Sequence, residues 1–215
     1  MQRIPKNLYE GAGFILFDPF EHNFILGVSS NTGDLEYIGG KPESNETPQQ
    51  TAFNELVEEI GGNPLDIDWE TRVQVLYFFN YSQKWIWCFF ISLSFNEIQK
   101  LHQLAKQLNS WPVELEKDFS SITGRTELAK KEITSIVSVN IHDFFNYIEI
   151  FTKWPRTRNR RLDAVRYGTH NSTKLIVGKN LCDNNYIEPK KIREFNCVIF
   201  EQHLEWLKNA VNVNK

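Results

Sequence analysis

Residues 38–62 read IGGKPESNETPQQTAFNELVEEIGG, and the reading of the whole chain turns on them. Glycine pairs stand near both ends, Gly39-Gly40 and Gly61-Gly62, with an acidic loop and an amphipathic segment between. Thr47 has the chemistry of an N-cap, Pro48 suits the first helical position and Gln50 completes a capping box, so the pattern predicts a helix from Pro48. Ala52, Phe53, Leu56, Val57 and Ile60 recur at helical spacing and give it a buried face, and Gly61 offers a left-handed stop. Glu55, Glu58 and Glu59 share a sector of roughly 100° on the other face, because positions three and four apart are neighbours on a helix.

Like charges so close repel, yet residues 47–62 contain no Lys or Arg. The cluster therefore needs a cation from outside the helix. A hard divalent ion fits, since Mg²⁺ takes carboxylate oxygens, keeps several waters and completes its shell with substrate phosphates. A bare ExxEE is more often a solvated acidic face; Gly40 and Glu46 upstream favour the metal.

Gly40, Glu46, Glu55, Leu56, Glu58, Glu59 and Gly61 together resemble the Nudix box, Gx5Ex7REUxEExGU, where U is a bulky aliphatic residue. Two positions depart from it: Asn54 stands where the family has arginine, and Gly62 where it has an aliphatic. The resemblance implies an α/β protein, a Nudix-like α/β/α sandwich with a mixed sheet. It implies hydrolysis of a diphosphate bond in a nucleoside diphosphate linked to another moiety, with RNA caps and dinucleotides among the substrates. By the same resemblance Mg²⁺, or alternatively Mn²⁺, is held by Glu55, Glu58, Glu59 and a carbonyl near Gly40. Glu55 and Glu58 are the candidate catalytic carboxylates, and Glu46 braces the loop. Several members carry a further glutamate ahead of a late glutamate-aliphatic pair; Glu132-Ile133 matches that pair, and Glu127 is the candidate, with a solvated helix-end carboxylate as its other reading. The family's arginine braces the carboxylates. With Asn54 in its place, Lys41, Arg125 and Lys131 are the nearest substitutes, and a catalytically impaired module binding nucleotide, RNA or protein is the competing function.

At 215 residues, 41% hydrophobic and 24% charged, the chain can bury a full core. A net charge of −3 excludes a global polyanion binder and leaves local patches. Lys153, Arg156, Arg158, Arg160 and Arg161 form a candidate RNA contact, and Lys190, Lys191 and Arg193 a second basic group. The apolar run around residues 85–95 is broken by Ser92 and Ser94 and is too short to span a bilayer. Three widely spaced cysteines give neither a disulfide framework nor a zinc pattern, and the N-terminal residues lack a signal-peptide pattern, so a reducing compartment is expected, cytoplasmic with the nucleus as alternative.

Residues 11–17 suit a buried central strand, 23–28 its hairpin partner, and 35–38 deliver the chain to the glycine pair. Residues 73–79 alternate as a strand face, and 85–95 are apolar on both sides, as in a strand covered twice. Tyr81, Trp85 and Trp87 are core residues or a platform for a nucleobase, and Cys88 is a small buried hydrophobe. Residues 96–108 form an amphipathic helix carrying a surface or partly packed His102, and 110–121 an irregular, charged connection. A late strand at 133–141 leads into a helix near Asp143, and Phe200, Leu204, Leu207 and Val211 predict one terminal amphipathic helix. The expected division is a Nudix domain over residues 1–149, with an insertion at about 96–121, and a C-terminal extension over 150–215 packed on the same domain.

Overall fold

The computed structural model describes residues 9–43, 45–79, 85–153 and 175–212. Strand β1 (Tyr9–Asp18) lies inside a mixed sheet. Phe14 and Leu16 point to one face and Ile15 and Phe17 to the other, and all four are buried, so β1 must be covered on both sides. Strand β2 (Asn23–Ser29) returns antiparallel but pairs with β1 only over Leu16 to Asp18. Beyond that point the two strands part. The gap is filled by β3 (Leu35–Glu36) against β2 and β4 (Ile38–Gly40) against β1, which sets Gly39 opposite Gly13 and Gly40 opposite Ala12.

Helix α1 (Pro48–Ile60) follows, and then the antiparallel pair β5 (Val73–Phe79) and β6 (Trp85–Ser92), with β6 parallel to β1. Helix α2 (Phe95–Ser110) and the single turn α3 (Ser120–Thr123) precede β7 (Ile133–Asn140), which pairs with β2. Next come α4 (Ile141–Lys153), β8 (Lys179–Asn180) beside β7, α5 (Glu194–Gln202) and α6 (Leu204–Asn212). The sheet order is β5-β6-β1-β2-β7-β8.

Helices cover both faces. Ala52, Leu56 and Ile60 of α1 and Leu101, Ala105 and Leu108 of α2 pack on Phe14, Leu16, Phe89 and Ile91. On the opposite face Phe144 of α4, Phe200 of α5 and Leu207 of α6 meet Phe17, Phe24 and Phe90. Phe144 sits between Phe24 and Phe200, with ring centroids 4.4 and 4.8 Å away. Truncating such a ring to alanine costs about 3–5 kcal/mol. No helix among the described residues is long and apolar enough to cross a membrane.

Two expected elements differ in form. The single terminal helix is two, α5 and α6, separated at His203, whose Nε2 lies 2.9 Å from the Tyr77 carbonyl oxygen. The connection after α2 is not wholly irregular: Lys117 and Ala129 exchange backbone hydrogen bonds of 3.0 and 2.8 Å, and Lys131 Nζ donates to the Trp111 carbonyl at 2.7 Å. These ties close residues 111–131 into a clasp, whose turn α3 contacts α1. Residues 190–193 also join the sheet region: Leu35 N donates to Lys191 O, and Arg193 N to Leu35 O.

Candidate active site

Local chemistry fixes the rotation of α1. Thr47 Oγ1 accepts from Gln50 N at 3.2 Å while Gln50 Oε1 accepts from Thr47 N at 2.9 Å, and Gly61, at φ 82°, donates back to Val57 O. With Ala52, Leu56 and Ile60 committed to the core, the glutamates can only face the end of β4 and the clasp. Glu59, 5% exposed, accepts from Gly39 N at 3.0 Å. The Glu55 carboxyl lies against the Gly40 backbone so closely that a Cβ at residue 40 would overlap it. A side chain at residue 40 would have to displace that carboxyl.

The counter-ion is Arg125, which follows a left-handed Gly124 at the end of α3. Its side chain is 6% exposed. Nε and Nη2 donate to Glu46 Oε1 and Oε2 at 2.8 and 2.9 Å, a bidentate fork, and Nη1 donates to Glu55 Oε1 at 2.9 Å and Glu58 Oε2 at 2.7 Å. Asn54 Nδ2 also donates to Glu46 Oε1 at 2.7 Å, and Thr51 Oγ1 and Glu43 N complete that carboxylate at 2.8 and 3.0 Å. The sequence leaves this cluster without a cation on its own helix; a loop distant in sequence supplies one. Of Lys41, Arg125 and Lys131, Arg125 is the one that hydrogen-bonds Glu55. Lys131 instead ties the neck of the clasp.

Charge is far from balanced. Burial pushes Glu55 up to about 7, outweighing Arg125, with Glu58 and Glu132 adding to the rise. Burial also raises Glu58, and it raises Glu59 well above the carboxylate range with help from Glu55. Glu46 goes the other way: burial opposes ionisation, but hydrogen bonds from Arg125, Asn54 and Thr51 bring it down to about 2. One neighbour was not singled out from sequence as part of the site, Glu132, whose charge bears on both Glu55 and Glu59.

The donor set suits a hard ion: the Glu55, Glu58 and Glu59 carboxylates and the Gly40 carbonyl are all oxygen ligands on rigid elements. Among the described residues no three His, Cys, Asp or Glu side chains converge closely enough to hold an ion as they stand. The reason is visible in the contacts, since Arg125 draws Glu55 and Glu58 while Gly39 holds Glu59.

Other expected residues lie elsewhere. Glu127, two positions past Arg125, is exposed on the clasp and outside the hydrogen-bonded cluster. Arg156, Arg158, Arg160, Arg161 and Tyr81 lie outside the described residues, as does the side chain of Lys153. Arg193 pairs with Glu36 at 2.6 Å, and Lys190, Lys191 and Arg193 all bear on Asp34, so this basic group meets carboxylates. Trp87 packs edge-on against Tyr77 at 4.7 Å. Cys88 is buried and its thiol is pushed up to about 12 by burial, as suits a core residue. His102 Nδ1 lies 2.6 Å from the Leu181 carbonyl oxygen.

No family model and no curated protein matches the sequence. Solved structures similar to it include a MutT described for Aliivibrio salmonicida and Vibrio cholerae, at 21% identity over 39% of this chain and 61% of that one, with a TM-score of 0.30. A binary complex of C. elegans Ap4A hydrolase is 14% identical over 74% of this chain and 100% of that one, TM-score 0.38. A Francisella tularensis bifunctional NMN adenylyltransferase/ADP ribose pyrophosphatase, complexed with AMP and a Mn ion, is 11% identical over 92% of this chain and 41% of that one, TM-score 0.40. The chain thus spans less than two thirds of the MutT and of the bifunctional enzyme.

Proposed function

We propose that this chain is a Nudix-type hydrolase that uses a divalent metal ion to cleave a diphosphate bond in a nucleoside diphosphate linked to another group. One observation carries the reading: Glu55, Glu58 and Glu59 are gathered beside Gly40 with more negative charge than Arg125 can offset. Glu55, Glu58, Glu59 and the Gly40 carbonyl would hold Mg²⁺ or Mn²⁺. Bound there, the ion would neutralise the bridging phosphates and make water a stronger acid.

The chain's own groups do the rest. Phosphoanhydride hydrolysis needs positioning and a carboxylate to take the proton of the attacking water. Glu55 and Glu58, whose proton affinity burial raises, suit that acceptor role, and Glu127 is the alternative carboxylate from the clasp. Glu46, with its five donors, ties the loop at Glu43 to Thr51 and Asn54 of α1 and to Arg125 of the clasp. Strand register sets Tyr77 and Trp87 in one row with Ala12 and Gly40, which suits a nucleobase lying on the sheet beside the phosphates.

The substrate classes are dinucleoside polyphosphates, nucleotide sugars, ADP-ribose, nicotinamide dinucleotides and capped RNA, the last drawing on the basic residues Lys153, Arg156, Arg158, Arg160 and Arg161. We place the protein in a reducing compartment, cytoplasm or nucleus, on the wide spacing of its three cysteines. We take the C-terminal extension as part of the same functional unit because Ile192 and Phe200, in its described residues 175–212, share a core with Phe24 and Phe144. The test is a panel of these substrates with Mg²⁺, scoring release of nucleoside monophosphate. Turnover of at least one, abolished by chelation, is expected; binding of nucleotide without turnover of any would instead favour a binding module.

A further inference from the structure

Arg125 belongs neither to the helix that carries the glutamates nor to the glycine strand. It is delivered by the clasp, whose neck is tied by Lys117 to Ala129 and by Lys131 to Trp111. Its guanidinium has two unequal halves. The Nε/Nη2 edge is committed to Glu46, a carboxylate that Asn54, Thr51 and the Glu43 backbone also fix. The remaining nitrogen, Nη1, has two hydrogens and divides them between Glu55 and Glu58. Both of those are needed by the ion, whereas Glu46 is not.

We propose that Arg125 is the resident counter-ion of this site, a positioning residue that holds Glu55 and Glu58 ready and gives them up, through Nη1 alone, when a divalent cation binds. This rests on the metal-dependent reading above. The fork on Glu46 keeps the guanidinium beside the cluster during the exchange, so the carboxylates pass from one cation to another without being left bare. Arg125 therefore orders the ligands and also competes with the ion, two effects that a merely structural arginine would not combine. Asn54 sits where the same carboxylate can be reached from the helix, because its Nδ2 is 2.7 Å from Glu46 Oε1. A guanidinium introduced there would restore a fork on Glu46 when Arg125 is gone.

The experiment titrates Mn²⁺ into full-length protein at fixed pH and reads free Mn²⁺ by electron paramagnetic resonance, for wild type, Arg125→Gln and Arg125→Gln/Asn54→Arg. With the competing cation removed, Arg125→Gln should bind Mn²⁺ about tenfold more tightly, the scale of one nearby charge. The double variant should return toward the wild-type Kd. Equal or weaker Mn²⁺ binding by Arg125→Gln would overturn the exchange and leave the metal reading standing. Absence of Mn²⁺ binding in every variant would remove the metal reading and the exchange with it. The wild type supplies a readout that does not depend on any variant folding: on adding Mg²⁺, the Arg125 Nη1 protons should lose protection from solvent exchange, while Nε–H and the Nη2–H on Glu46 keep theirs. Loss of both, or of neither, contradicts a release through Nη1 alone.

Discussion

Arg72 meets one carboxylate, Glu97, whereas Arg125 has three within hydrogen-bonding distance. Glu97 accepts from Arg72 Nη1 and Nη2 at 3.0 and 2.7 Å, and from Ser94 N, Ser94 Oγ and Asp66 N at 2.7, 2.8 and 2.8 Å. The acceptor positions of Glu97 are used and the charges cancel one to one, so the pair bolts the start of α2 to the loop before β5. Around Arg125 the geometry is as good but the charges do not cancel, because Glu46, Glu55 and Glu58 share one cation and buried Glu59 accepts from a backbone N–H. A closed, charge-balanced ion pair is a structural device, and such networks perturb pKa values without forming a functional site. An unbalanced one is a different object.

Activity separates the two most widely. Glu55→Gln, Glu58→Gln and Glu59→Gln should each lower kcat by at least about 10²-fold, the scale of a lost base or metal ligand. Glu97→Gln should leave kcat within about twofold and cost about 2 kcal/mol of stability, from a charged hydrogen-bonded pair with one partner removed. A Glu97 variant as inactive as the Glu58 one would erase the distinction. The assay is initial rate on the substrate identified by the panel, with Tm measured in parallel.

Stability against pH should divide them next, with opposite signs. Glu97 and Glu46 are drawn down to about 2 despite burial, by Arg72 and Arg125 respectively, so what they contribute is present above about pH 4.5 and is lost as pH falls toward 2. Glu55 is raised by burial to about 7, so the folded state holds a proton that the unfolded chain has released, and metal-free stability falls as pH rises from 4.5 through 7. Melting curves in chelator should therefore drop by a few degrees between pH 5 and pH 8. Mg²⁺ should recover more at pH 8 than at pH 5. A Glu55→Gln protein should lose part of the upper limb, and an unchanged limb would assign it to other groups.

The smallest effect is expected at the rim. Glu43 stands 3.6 Å from Arg125 Nε with a side chain 38% exposed, and solvent screens such a contact to about 1 kcal/mol or less. Glu43→Gln should alter kcat by less than about threefold. A loss comparable to that of Glu58→Gln would extend the unbalanced cluster to the loop.

The contrast also marks what could be read from sequence. Thr47, Pro48, Gln50 and Gly61 act on backbone groups within a few residues, so the bounds of α1 were legible, and the apolar runs in residues 11–17 and 85–95 marked strands buried on both faces. The Arg72–Glu97 pair went unnoticed, although Ser94 and Glu97 carry a capping-box spacing that could have marked the start of α2. Arg125 could be named only as one of three substitutes, because its role depends on the clasp bringing it to Glu46 across 79 positions of sequence. No periodicity encodes such a contact. Glu127 rested on a resemblance in its surroundings ahead of Glu132, and it is exposed on the clasp.

The junction of residues 191–193 with β3 has a consequence for synthesis. Leu35 and Glu36 lead directly into Gly39-Gly40, yet their hydrogen-bond and ion-pair partners, Lys191 and Arg193, are translated after every glutamate of the cluster. Domains fold as units during synthesis at roughly 5–20 residues per second. A nascent chain halted near residue 150 could form α1 and its cap, but β3 would still present an unpaired edge to the ribosome surface and to neighbouring nascent chains. Completion of this sheet edge is therefore a late event in the life of the molecule, and chaperones that shield open strands would have their longest opportunity to act at β3.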